Sequence, residues 1–164
     1  MKTSILFVLL SLLHPSSALD LTKVRAAYEI ASKNELLARE LYKTVDAHAS
    51  NSTTMLGYKG AVTMMLAKFQ FNPLNKLEYF NSGKALLENA IVRDADNIEL
   101  IFIRFSIQSY APGFLKYNKE LNRDKYFLLT NIKDVSDKDL QTRITKFLSS
   151  SPYLSKSERN NLLQ

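Results

Sequence analysis

Asp94-Ala95-Asp96-Asn97, followed by Ile98-Glu99-Leu100-Ile101-Phe102-Ile103-Arg104-Phe105-Ser106-Ile107-Gln108-Ser109, is the stretch on which the fold turns. The first four residues are polar and carry helix-capping side chains. Those after them are apolar on almost every side of a helical wheel. A helix apolar all round belongs in an interior, so the segment predicts a short buried helix, ended by Ala111-Pro112-Gly113. One charge interrupts it, Arg104, with Gln108 one turn later on the same face. A buried guanidinium without a partner is costly. Arg104 therefore has two readings. It forms an ion pair with an acid of another helix, such as Glu78, Glu88 or Glu120, or it grips a ligand carboxylate, sulfate or phosphate bidentately, with Gln108 beside it.

Outward from this segment the apolar residues keep helical spacing and nowhere alternate as in a strand. Leu21, Val24, Tyr28 and Ala31 line a first helix. Ser32-Lys33-Asn34-Glu35 reads as a capping box between it and a second, striped by Leu37, Leu41 and Val45. A third helix runs from about Ser52 to Phe69, and Asn72-Pro73 opens a fourth. Past the Pro112 break, a sixth covers about Lys119 to Asn131. Ser136 with Asp139 starts a seventh, and Ser155 with Glu158 a short last one. The expectation is an all-α domain over residues 19–164, with seven to eight helices in antiparallel hairpins and no internal linker.

Residues 1–18 read differently. Lys2 precedes an apolar run from Ile5 to Leu13, His14-Pro15 breaks it, and Ser16 and Ala18 supply the small residues of a cleavage site. That is the pattern of a secretory signal peptide. The run is too short for a membrane span, which takes about 20 helical residues. The chain is expected to be exported, periplasmic or secreted, and not membrane-spanning. It has no Cys, which excludes disulfides, thiolate metal sites, thiol nucleophiles and a lipid-modified Cys. The Asn51-Ser52-Thr53 sequon matters only in a eukaryotic secretory route.

The 22 Lys plus Arg exceed the 16 Asp plus Glu, but the excess is spread along the chain rather than gathered in an arm. No nucleic-acid partner is expected. Lys59, Lys68, Lys76 and Lys84, opposed only by Glu78, make one mildly basic patch or a solvated helical face. Tyr58 with Gly57, Gly60 and Ala61 offers either a groove for a peptide or a close helix–helix approach. Tyr110, Phe114 and Tyr117 surround a rigid turn, as a recognition edge or as a corner pinned to the core. His48 has no companion ligand, and Asp94-x-Asp96 and Asp134-x-x-Asp137-x-Asp139 lack the Gly and Glu of a calcium loop. No metal, cofactor or catalytic residue is assigned.

Leu87-Glu88-Asn89-Ala90-Ile91-Val92-Arg93-Asp94-Ala95-Asp96-Asn97-Ile98-Glu99 resembles the second helix and exit turn of a tetratricopeptide repeat. Ala90 stands at the small interhelical position, Asp94 and Asn97 at the turn positions, and Gly83 at the earlier small one. Ala95 replaces the usual Pro, and no second copy is visible. More widely, Tyr58-Lys59-Gly60-Ala61, Ala67-Lys68, Asn72-Pro73, Lys76-Leu77, Asp94 to Glu99, Arg104, Ile107-Gln108 and Pro112-x-Phe114-Leu115-x-Tyr117 are similar to a family of uncharacterised small exported helical proteins of Bacteroidota-type bacteria. That resemblance implies a helical fold and an exported location, and no catalytic residue. The function expected is a non-enzymatic module that binds a protein or peptide in the cell envelope. The alternatives are capture of a small anion around Arg104 and Gln108, and a hydrolase using paired carboxylates.

Overall fold

A computed structural model describes residues 20–162, so the expected signal segment lies outside the described residues. Those described are all-helical. The helices are α1 (Leu21–Ala31), α2 (Glu35–His48), α3 (Thr53–Leu66), α4 (Pro73–Arg93), α5 (Ile98–Tyr110), α6 (Leu121–Asn131), α7 (Lys138–Ser150) and α8 (Lys156–Leu162). Short 3-10 turns follow α3, α5 and α6. Both the fold class and the number of helices agree with the pattern of the sequence.

Side-chain caps set most of the starts. Asn34, Ser52, Asn72, Asn97 and Asp137 each hold an extended backbone conformation and accept a first-turn N–H through the side chain. Two caps differ from expectation. Ser32 does not form a box with Glu35; its hydroxyl donates to the Glu29 carbonyl at 3.2 Å, closing α1, and Asn34 alone caps α2. At α7 the cap is Asp137, one residue past Ser136. The box at α8 forms in full: the Ser155 N–H donates to Glu158 at 2.6 Å, and the Glu158 N–H donates to the Ser155 hydroxyl at 3.2 Å.

Glu158 also takes an ion pair from Lys125 of α6 at 2.9 Å. Lys125 first, and the Ser155 N–H after it, hold the Glu158 carboxyl down to about 2. A carboxylate depressed in the folded state contributes stability above its unfolded value, near 4.3, and loses it as pH falls through the folded value. Amide protection across residues 156–162 is therefore expected to fall between about pH 4.3 and 2. A Lys125→Gln substitution is expected to move that loss to higher pH.

From α1 to α6 each helix packs on the next, and α7 returns to α5. The tightest approach is between α3 and α4. Contacts climb α3 as they descend α4, from Thr53 with Asp94, through Gly60 with Leu87, to Met64 with Gly83, so these two helices run antiparallel. A Cβ on Gly60 would lie 2.6 Å from the Gly83 carbonyl oxygen and 2.7 Å from the Leu87 nitrogen. Both are backbone atoms, which cannot rotate away. Gly60→Ala is expected to lower the urea midpoint by the equivalent of about 2 kcal/mol, because forced separation outweighs the gain in helix propensity. The small residues of α3 thus bring two backbones together, and α5 packs on both helices.

Candidate functional site

Helices α1, α3, α4, α5 and α7, with the corner at residues 110–115, surround a groove of about 1220 Å³. Its floor is apolar. Tyr58, Ala61 and Met64 come from α3, Phe80 from α4, Ile103 from α5 and Phe147 from α7. Tyr28 meets Tyr58 edge to face at 5.7 Å. Phe147 seats α7 on α5 through edge-to-face contacts with Phe102 at 5.5 Å and Phe105 at 5.9 Å.

The mouth is apolar as well, and open. Leu74, Leu77, Tyr110 and Phe114 line it, with Tyr110 72% and Phe114 80% exposed. Pro112 and a left-handed Lys116 (φ 48°) turn the chain here and hold the aromatics outside the core. Lys68, Lys76 and Lys146 complete the rim, and none has a carboxylate partner among the described residues. Lys68 instead donates to the Ser32 carbonyl at 2.8 Å. Glu29 is the one carboxylate among the described residues lining the groove, and it is taken by Arg143 at 2.6 Å. Carboxylates that converge for hydrolysis would need a second acid in this cleft.

One end of the groove rests on a buried ion-pair network. Arg25 of α1 donates Nε and Nη2 to the two oxygens of Glu99 on α5, at 2.7 and 2.8 Å. Its Nη1 reaches Asp137 at 2.8 Å and Asp139 at 3.0 Å, at the start of α7. The Tyr58 hydroxyl donates to Glu99 at 2.7 Å. Burial opposes the charge on Arg25, but Glu99, Asp139 and Asp137 outweigh it and keep the guanidinium protonated. Burial, and then the Glu99 charge, push the Tyr58 hydroxyl far above its ordinary range, so it serves as a neutral donor.

A second network of the same kind lies away from the groove. Arg104 donates Nε and Nη2 to Asp124 of α6, each at 2.7 Å, and Nη1 to Glu88 of α4 at 2.8 Å. The Tyr117 hydroxyl donates to Glu88 at 2.6 Å. Burial first, then Glu88, raise the Tyr117 hydroxyl in the same way.

These positions sort the residues singled out from the sequence. Tyr58, Tyr110 and Phe114 line the groove. Arg104 belongs to the ion-pair reading: it is buried, and internal carboxylates face three of its donor atoms. Glu88 was among the expected partners; Asp124 was not. Gln108 is buried with its Oε1 unpartnered, and neither it nor Arg104 lines the groove. Tyr117 is buried against Phe80 and Glu88 rather than offered as a recognition edge. Of the lysine patch, Lys59 pairs with Asp46 at 2.7 Å and Lys84 lies over the Tyr117 ring, while Lys68 and Lys76 reach the groove. His48 donates Nδ1 to the Thr44 carbonyl at 2.9 Å near the end of α2. Asp94 accepts from Thr53 and Asn97, the work of a turn.

Sequence reasoning missed Arg25, Leu77, Lys146 and Phe147 as parts of one site. Their helical spacing marked faces, but only the path of α7 back to α5 and α1 joins those faces. No family model, curated protein or solved structure matches the chain.

Proposed function

We propose that this chain is an exported, non-enzymatic helical module that binds a segment of a partner polypeptide along the groove. The observation that carries the reading is a concavity of about 1220 Å³ with an apolar floor and exposed Leu74, Leu77, Tyr110 and Phe114 at its mouth. Small-molecule sites occupy roughly 300–1,000 Å³ and enclose most of their ligand. This groove is larger and open along its mouth, which suits a length of chain. Clustered exposed apolar side chains mark interaction surfaces. Export is supported by the three-part pattern of residues 1–18. The tetratricopeptide-like stretch at residues 87–99 supports the same kind of module, since stacked helices commonly offer concave peptide-binding faces.

The test is photo-crosslinking in the producing cells. A benzophenone side chain in place of Leu77 or Tyr110 is expected to capture a polypeptide. The same group at Tyr126, exposed but outside the groove, is not. Adducts at position 126 alone would refute the groove. Export has a separate readout: the protein recovered outside the cytoplasm is expected to begin at Leu19, and a cytoplasmic protein retaining residues 1–18 would refute it.

A further inference from the structure

We infer that the partner segment is acidic, with apolar side chains set among Asp or Glu; this rests on the groove-binding reading above. The acids nearest the groove are each paired with an arginine. Glu99, Asp137 and Asp139 face Arg25, and Glu29 is held by Arg143. Lys68 in the 3-10 turn after α3, Lys76 in α4 and Lys146 in α7 have no such neutralisation among the described residues and stand around the mouth from separate walls. Positive potential is thus left over an apolar floor. Low-dielectric walls strengthen such a field and steer an anionic partner toward it.

The other occupants fit less well. An anionic membrane is broad, and its surface cannot reach Tyr58 or Phe80 at the floor of a concave groove. A second copy of this chain brings a net positive charge, +6 for the full sequence and one less without Lys2, to a positive mouth. An acidic, apolar peptide satisfies rim and floor together. Rim charges of this kind act chiefly on association rate and salt dependence, while the apolar contacts hold the complex.

The experiment pans a random twelve-residue peptide library against the protein and measures recovered peptides by fluorescence anisotropy. Recovered peptides are expected to combine apolar residues with at least two acids. Their affinity is expected to fall at least tenfold in a Lys68→Glu/Lys76→Glu/Lys146→Glu protein whose urea midpoint is unchanged. It is also expected to fall with added salt in the wild type, and far less in that variant. A Leu74→Ser/Leu77→Ser protein is expected to bind at least tenfold more weakly through loss of apolar contact. Neutral or basic peptides, or binding indifferent to the lysine reversals, would overturn the acidic partner. If such peptides still lost affinity in the leucine variant, the groove reading would stand without it. Affinity undiminished in the leucine variant, or no peptide recovered at all, would overturn both. Phosphatidylglycerol vesicles bound through the three lysines, with no peptide bound, would replace the peptide by a membrane.

Discussion

Asp124→Ala is expected to cost the protein about 3–5 kcal/mol of unfolding stability, a large part of the roughly 5–15 kcal/mol that a domain possesses. Asp124 is 1% exposed, and both its oxygens are held by Arg104 at 2.7 Å. Burial drives its carboxyl above the ordinary range while Arg104 pulls the other way, so neither charge is comfortable without its partner. Truncation leaves a guanidinium inside an apolar helix with Glu88 as its remaining acid. Removing both charges is a different matter. Arg104→Met/Asp124→Leu replaces a desolvated pair with side chains that pack, and its urea midpoint is expected to lie close to wild type. A single variant as stable as the double one would show that the pair is not held as a unit.

That contrast also marks how far the sequence could be read. The composition of residues 98–109 made α5 internal, and an internal Arg demands a partner; both inferences rest on local physics. The caps at Asn72 and Asn97 were equally legible, because a cap is a relation between residues two or three apart, although at α2 the pattern pointed to Ser32 where Asn34 is the cap. Asp124 was not legible. It sits in a polar stretch, Asn122-Arg123-Asp124-Lys125, where only the rotation of α6 decides which side chain turns inward. Arg25 was hidden for the same reason, beside Val24 on a helix whose apolar stripe is narrow, with its principal partner 74 residues away. The groove depends on one more non-local fact, the return of α7 to α5 through Phe147. Tyr58, Tyr110 and Phe114 could be suspected individually from aromatic chemistry, but not as the lining of one cleft.

At the groove itself, Glu99→Ala is expected to destabilise the protein by about 3–5 kcal/mol, far more than losing the two other acids that hold Arg25. Glu99 has a side chain 5% exposed and accepts three hydrogen bonds, two from Arg25 and one from Tyr58. Its removal leaves the buried Tyr58 hydroxyl without its acceptor and the buried Arg25 with only the more exposed Asp137 and Asp139. Asp137 and Asp139 are 45% and 29% exposed, so water screens their pairs and recovers much of what is lost. Asp137→Asn/Asp139→Asn is expected to lose only about 1 kcal/mol. The main structural result would be weaker hydrogen-exchange protection in α7, which those acids tie to α1. Both carboxyls are held below their ordinary range, Asp137 chiefly by the Leu140 N–H and Asp139 chiefly by Arg143. Their contribution is therefore complete above about pH 4 and fades as pH falls through the lowered values. Loosening of α7 below about pH 4 is the signature expected as those two carboxylates protonate. Equal losses in the Glu99 and Asp137/Asp139 proteins would mean that α7, rather than the buried Arg25–Glu99 pair, holds this end of the groove.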